Sequence, residues 1–193
     1  MGTARPRRVR GEGEQLRGEL VTAAIDLLLE PQALPAPSLR AIARASGVAP
    51  SAVYMHFPSQ EALMYAVTEE LFGRLRTALD AGEAAEGTAE TRLRSLIGAY
   101  LQWSRDYPGA YQLLFERPDP AIDSGAGPGL DLLDRLAELL QVAGAAADRT
   151  LSLRIWSVLH GIASLRIHKP TAPWTSAPED EAWAIIRALG ELP

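Results

Sequence analysis

Cysteine is absent from this sequence of 193 residues, and no long apolar run occurs in it. Without cysteine there can be no disulfide and no thiolate ligand, which favours a reducing compartment such as the cytoplasm. No apolar stretch reaches the roughly 18 residues that span a bilayer. The basic N-terminus also lacks the apolar segment of a signal peptide. We therefore expect a soluble, cytoplasmic protein with no membrane partner.

The residue patterns of metal and cofactor chemistry are missing too. Only three histidines occur, and none of them forms a His-x-x-x-His pair, so we expect no metal site and no cofactor. There is no Gly-rich phosphate loop and no nucleophile elbow, and His160 has no carboxylate nearby in the sequence to orient it. An all-helical enzyme would have to assemble its site from distant residues. Such an enzyme is the alternative to a binding protein.

The charge is distributed unevenly along the chain. The formal net charge is −5, yet residues 1–57 hold seven arginines against five acidic residues, while the rest holds 12 basic and 19 acidic residues. A basic end on an acidic body suits a protein whose one end meets phosphates. Residues 1–11 lack apolar periodicity and are expected to form a disordered basic arm, which could also be a merely solvated tail.

Residues 38–57 carry the clearest local signals in the chain. Ser38 can cap a first short helix, and Gly47 can end it because glycine takes left-handed backbone angles without steric cost. Pro50 then suits the first turn of a second helix. The apolar side chains of the two helices can pack together, as is expected of Leu39, Ile42, Ala43, Val48, Val53 and Phe57. The segment therefore predicts a helix-turn-helix whose second helix suits a DNA major groove.

The same segment resembles the DNA-binding signature of the TetR family of transcription regulators. The resemblance rests on residues 47–57, GVAPSAVYMHF, followed by Glu-Ala-Leu at 61–63. It departs from the family pattern at two positions: Ala49 stands where a hydroxyl residue usually caps the recognition helix, and Gln60 stands where a lysine is common. Each departure removes one possible capping or phosphate contact.

The resemblance implies which side chains meet DNA. Tyr54 and His56 correspond to phosphate contacts of the family, although Tyr54 could instead only cover the domain surface. Ser38 and Arg40 can meet phosphates through the helix start and the guanidinium. The outward positions of the second helix are the candidates for base edges; they are Pro50, Ser51, Ala52 and Met55. No arginine there predicts a guanine contact.

Apolar spacing predicts helices throughout the rest of the chain and no strand, so the fold class is all-α. We expect helices near 13–30, from Ser59 to about 80, and near 89–106, 130–140, 149–168 and 178–189. Residues 117–129, with three prolines and three glycines, are expected to be a loop. The predicted units are a DNA-binding domain at 12–80, which includes a linking fourth helix, and a helical ligand-binding and dimerisation domain at 88–193.

The helix predicted at 149–168 is apolar on two faces. A small domain cannot cover both faces alone, which indicates a homodimer formed through the last two helices, with Ile162 and Ile186 as candidate contacts. Ser176 and Glu179 are expected to form a capping box that opens the final helix.

Residues 156–161 resemble the Trp-His-Gly motif of one subgroup of TetR ligand domains, and residues 107–115 fit the same subgroup. The aromatic residues nearby could line an apolar cavity, or they could form an ordinary core. The candidates are Trp103, Tyr107, Tyr111, Phe115, Trp156 and His160. Their few polar groups predict an apolar effector that carries one or two hydrogen-bonding groups.

These observations predict a DNA-binding transcription regulator. The expected form is a homodimeric repressor that binds a near-palindromic, double-stranded operator and leaves it when a small apolar effector binds. A ligand-independent regulator or an activator is the alternative. A helical enzyme is the more remote one.

Overall fold

The computed structural model describes residues 12–29, 36–83, 86–117 and 129–192, all helical or irregular, with no strand among them. The predicted basic arm and nearly all of the predicted loop at 117–129 lie outside these residues. The helices are α1 (Glu12–Asp26), α2 (Leu39–Ala45), α3 (Pro50–His56), α4 (Gln60–Glu83), α5 (Ala89–Asp106), α6 (Pro108–Phe115), α7 (Leu130–Val142), α8 (Arg149–His168) and α9 (Pro178–Leu189). The all-α prediction is confirmed. None of the described helices is long and apolar enough to cross a membrane.

Helices α2 and α3 form the predicted helix-turn-helix, and α1 packs against both. The Ser38 Oγ accepts a hydrogen bond from the Ala41 N–H at 3.2 Å and so caps α2. Gly47 has a φ of 66°, which a residue with a side chain rarely adopts. Pro50 opens α3. Helices α1, α2 and α3 bury a shared apolar core that includes Leu20, Ile25, Ile42, Val53 and Phe57.

Helix α1 is shorter than its apolar spacing predicts. It ends at Asp26 rather than near residue 30, and residues 27–29 are turns. The Leu28 N–H donates to the Ile25 carbonyl at 2.7 Å, a tighter pattern than that of an α-helix. Leu28 is nevertheless buried, so the apolar period continues past the end of the helix.

Helix α4 is long enough to reach from the helix-turn-helix to the rest of the molecule. The Ser59 Oγ accepts from the Ala62 N–H at 3.1 Å and caps it, as predicted. Its residues are buried at every fourth position from Leu63 to Leu79. It packs against α1 and, more extensively, against α5. The two halves of the chain are thus joined by one continuous helix.

Helix α5 is the centre of the C-terminal half and contacts α4, α6, α7, α8 and α9. Helices α8 and α9 pack against each other. The Asp148 carboxylate accepts from the Leu151 N–H at 2.8 Å and so caps α8.

The predicted capping box of the last helix is wrong. Helix α9 begins at Pro178, its N-cap residue is Ala177, and no side chain caps it. Proline needs no N–H partner at the first helical position, so a cap matters less there. The Glu179 carboxylate pairs instead with the Arg105 guanidinium at 2.6 Å, which ties α9 to α5.

Helices α4 and α5 come closest together at Gly82. A Cβ atom on Gly82 would lie 2.9 Å from the Ser95 carbonyl oxygen and 3.0 Å from the Ala99 Cβ. Backbone atoms of a packed helix cannot turn aside as a flexible side chain can, so this position requires glycine. Gly73 in the same helix has open space where its Cβ would stand.

We predict that Gly82→Ala lowers the free energy of unfolding by about 1–2 kcal/mol, because the added methyl forces α4 and α5 apart. Gly73→Ala is the matched control and should be neutral or stabilising by up to about 1 kcal/mol, because alanine favours the helix. Urea denaturation of the three proteins at one concentration measures both. A Gly82→Ala protein as stable as the Gly73→Ala protein would contradict the close approach.

Candidate functional site

Helix α3 presents an exposed face at the N-terminal end of the molecule. Tyr54 is 57 % exposed and Met55 is 74 % exposed. Pro50 and Ser51 are also exposed, whereas Ala52 is half-buried and therefore less accessible. A phenol, a hydroxyl and a thioether on one short helix combine hydrogen-bonding groups with apolar surface, which is the chemistry that base edges and phosphates require.

The start of α2 lies beside this helix and is also exposed. Ser38 and Arg40 both face solvent. Because the first N–H groups of a helix point outward from its start, a phosphate can be bound there by backbone and guanidinium together.

His56 differs from the other predicted DNA contacts. Its side chain is half-buried, and its Nε2 is shielded from solvent without a hydrogen-bond partner. The ring lies against the start of α1, where a Cβ on Gly13 would stand 3.8 Å from the His56 Cε1. The structure therefore does not bring the His56 Nε2 to the exposed face that carries Tyr54 and Met55.

An apolar cavity of about 150 Å³ lies in the C-terminal half between α4, α5, α6, α7 and α8. Of the predicted cavity residues, Phe115 and Trp156 line it directly. The remaining walls come from apolar side chains, from Tyr100 and from one glycine; they are Phe72, Leu79, Leu96, Tyr100, Gly129, Leu130, Leu132, Leu133, Leu136, Leu153 and Leu159. No charged side chain is among the described residues that line the cavity.

A chain of hydrogen bonds lies behind one wall of the cavity. The Tyr100 and Tyr111 hydroxyls are 3.1 Å apart, and the Tyr111 hydroxyl lies 2.7 Å from the His160 Nδ1. The Trp156 indole lies close to the Tyr100 hydroxyl. Burial raises the pKa of both tyrosines above the ordinary value and lowers the pKa of His160. The phenols and the imidazole are therefore neutral near pH 7.

Tyr111 and His160 belong to this second layer and do not line the cavity themselves. Trp103 and Tyr107 lie elsewhere, in an open groove between α4 and α5. Their rings contact each other, with centroids 5.6 Å apart. The six predicted aromatic positions thus fall into three groups: two residues in the wall, two behind it and two outside the cavity.

Much of the cavity wall was not among the residues chosen from the sequence. Phe72 of α4 and the leucines of α7 form a large part of it. The sequence does contain a signal, because residues 130–140 hold more leucines than one helical stripe needs. Phe72 gives a weaker signal, since it lies next to Leu71 in the buried stripe of α4.

Ion pairs join α4 to α7 along one side of the cavity. The Arg76 guanidinium binds the Asp131 carboxylate through two hydrogen bonds of 2.9 and 3.0 Å. These bonds raise the pKa of Arg76 and lower the pKa of Asp131. Arg135 of α7 pairs with Asp80 at 2.7 Å and with Glu83 at 2.5 Å. These ion pairs therefore link α7 to α4.

The fold and the exposed face of α3 define a helix-turn-helix transcription regulator. The family described as "Bacterial regulatory proteins, tetR family" matches residues 21–67. The C-terminal family described as "Tetracyclin repressor-like, C-terminal domain" matches residues 93–189. The chain belongs to the TetR family of transcription regulators, as its recognition signature predicts.

Solved structures share the whole architecture. A transcriptional regulator from Rhodococcus sp. RHA1 is 19 % identical with a TM-score of 0.73, over 92 % of this chain and 98 % of the other. A TetR-like transcriptional regulator from the same organism is 17 % identical with a TM-score of 0.68, over 96 % and 97 %. A TetR-family regulator from Streptomyces coelicolor is 19 % identical with a TM-score of 0.66, over 91 % and 79 %. At these identities the likeness is one of fold.

The lowered pKa of His160 predicts a pH dependence of stability. Burial disfavours the charged imidazole in the folded protein, although the Glu116 carboxylate opposes this. The unfolded chain then binds the proton more readily, so stability is complete above pH 6.5 and is lost as the pH falls through the lower folded pKa. Hydrogen bonds from Ser164 and His168 outweigh burial and lower the pKa of Glu116 below 4.5, outside this window.

We predict that the melting temperature falls more steeply from pH 7.5 to pH 5.5 in the wild-type protein than in His160→Gln. The glutamine carbonyl can still accept from the Tyr111 hydroxyl but does not titrate, which makes this variant the control. Thermal melts followed by circular dichroism measure both slopes. Parallel slopes in the two proteins would show that His160 does not carry the effect.

Proposed function

We propose that this regulator is a repressor that binds its operator as a homodimer and leaves it when a small apolar effector enters the cavity. One observation carries the proposal: Phe72 of α4 forms part of the cavity wall, and α4 continues to the helix-turn-helix. A ligand that changes the position of Phe72 therefore acts on the helix that supports the DNA-binding unit.

The proposed DNA-binding domain spans residues 12–80, with α4 as its link to a ligand and dimerisation domain at 88–193. Ser38, Arg40 and Tyr54 are the proposed phosphate contacts, with His56 as a further one after a change of its side-chain conformation. Bases would be contacted by the exposed face of α3, namely Pro50, Ser51, Ala52 and Met55. The exposure of this face supports these roles.

The proposed dimer interface lies on α8 and α9. Leu165 is 52 % exposed and Ile185 is 39 % exposed, and Leu189 is exposed as well. Apolar side chains clustered on two packed helices indicate a surface that a second copy covers. Of the two positions chosen from the sequence, Ile186 is fully buried within the protomer and Ile162 is nearly so. A charge at Ile186 would unfold the protomer and would not report on the interface.

The gating requires that the effector bind the conformation that does not fit DNA more tightly than the one that does. The first half of α7 is loosely packed, because Leu130, Leu132 and Leu133 remain half-exposed while they line the cavity. The ion pairs of Arg76 and Arg135 link this segment to α4. A ligand that reorders the start of α7 can thus shift α4. Typical couplings of this kind change affinity about 5- to 150-fold.

A ligand-independent regulator or an activator would use the same DNA surface and the same dimer. A ligand-independent regulator would stay on its DNA when the ligand is added. An activator would raise transcription where the proposed repressor lowers it. An enzyme would instead need a reactive group in the cavity. The described lining residues are apolar or are aromatic rings with their polar groups in mutual hydrogen bonds, which supports the binding function.

We predict that selection from a random pool of DNA duplexes returns an inverted repeat. Arg40→Ala and Tyr54→Phe should weaken binding to all sequences, and Arg40→Ala should make the salt dependence shallower by about one phosphate contact. Ser51→Ala and Met55→Ala should change the preferred bases. Arg154→Ala, an exposed arginine on α8, is the control and should leave binding unchanged. A pool without an enriched motif would refute sequence-specific binding.

We predict that Leu165→Glu and Ile185→Glu give folded monomers, because both side chains are exposed in the protomer and would meet their symmetry mates in the dimer. Val142→Glu is the matched control: Val142 is an exposed apolar residue at the end of α7, away from the proposed interface. Sedimentation at micromolar concentration measures the mass of each protein. A monomeric wild-type protein, or a dimer that survives both variants, would contradict the interface.

A further inference from the structure

The cavity carries an inference about the chemistry of its ligand, and this inference rests on the proposed function. We propose that the effector is an uncharged, compact and hydrocarbon-like molecule that needs no hydrogen-bonding group. The sequence instead led us to expect an effector with one or two such groups, held by the phenols and His160. The difference follows from what those polar groups do in the folded chain.

The described wall of the cavity has no partner for a charged ligand. It contains no basic side chain to pair with a carboxylate or phosphate and no acidic side chain to pair with an amine. Moving an unpaired charge from water into such a space is strongly unfavourable. The Arg76 and Arg135 guanidinium groups lie close by, but both are already paired with carboxylates of the protein.

The second property concerns hydrogen bonding. The donors next to the cavity form one chain with a single direction. The Trp156 indole lies close to the Tyr100 hydroxyl and can act toward it only as a donor, since an indole has no acceptor. The Tyr100 hydroxyl then donates to the Tyr111 oxygen over 3.1 Å. The Tyr111 hydroxyl donates to the His160 Nδ1 over 2.7 Å. A neutral imidazole supplies the acceptor that ends the chain.

The opposite direction is less favourable. If the His160 Nδ1 donated to Tyr111, and Tyr111 to Tyr100, the Tyr100 O–H would have no acceptor in the chain. Leaving a buried donor unsatisfied is costly. In the favourable direction both phenol hydroxyls are used within the protein, and the remaining donor, the His160 Nε2–H, belongs to a residue that does not line the cavity. The described wall then offers a ligand apolar contact and no free O–H.

Size sets the third limit. The cavity of about 150 Å³ matches, in volume, apolar cavities that stay dry and bind a single benzene-sized molecule. One substituted ring, or a branched alkane of similar bulk, is therefore the class of ligand that fits this conformation.

The experiment compares three probes of one shape and different polarity: cumene, acetophenone and benzoate. All three join a phenyl ring to one branched group, and they have the same number of non-hydrogen atoms. Binding to the full-length protein is measured by isothermal titration calorimetry. We expect cumene to bind about tenfold more tightly than acetophenone, whose carbonyl loses its water without gaining a donor. Benzoate should show no binding.

Tyr111→Phe tests the donor chain itself. The variant removes the acceptor of the Tyr100 hydroxyl, which then becomes free for the acetophenone carbonyl, so the preference for cumene should shrink about tenfold or reverse. Tyr107→Phe removes a hydroxyl outside the cavity and is the matched control, with the wild-type order retained. An unchanged preference in Tyr111→Phe would overturn the assigned direction of the chain.

The outcomes separate this inference from the proposed function. If acetophenone or benzoate binds the wild-type protein as tightly as cumene, the inference is wrong while a ligand-binding cavity remains. If none of the probes binds, the inference is wrong, while the effector-gated repressor is still tested by release of the selected DNA. Cumene that binds in the expected order without releasing the selected DNA supports the inference and contradicts the gating.

Discussion

The packing of α4 is the constraint on which the rest of this structure depends. One helix of 24 residues must complete the core of the helix-turn-helix at its start and the core of the C-terminal half further along. At about 1.5 Å per residue it is roughly 36 Å long, so one rigid element spans both. Its far end is fixed by the glycine contact with α5 at Gly82 and by the paired carboxylate of Glu83. Neither core can change shape without a response in α4.

Local signals allowed much of the fold to be predicted from the sequence. Ser38, Gly47 and Pro50 each act at one position through their own backbone or side-chain chemistry, and each lies where it was expected. The prediction failed where a tertiary contact overrode the local pattern. Ser176 and Glu179 have the spacing of a capping box, but Glu179 is used by Arg105 of another helix. No pattern within α9 itself could indicate that partner.

The candidate site was predictable in part for the same reason. Exposed positions of α3 follow from helical spacing, because a two-helix clamp leaves only one face free. The cavity depends instead on which aromatic residues of α5 turn inward. Tyr100 and Trp103 are three positions apart in one helix, yet the first lines the cavity and the second lies in a groove beside α4. Residues three positions apart lie on one side of a helix, so spacing alone does not distinguish the two.

The leucines at the start of α7 have a further consequence for how this scaffold can change. Leu130, Leu132 and Leu133 shape the cavity but are only half-buried, whereas Leu139 and Leu140 at the other end of the helix lie in the core. Substitutions among the first three therefore alter the shape of the cavity at a small cost in stability. The shape of the cavity can thus drift, or be redesigned, while the exposed face of α3 stays unchanged.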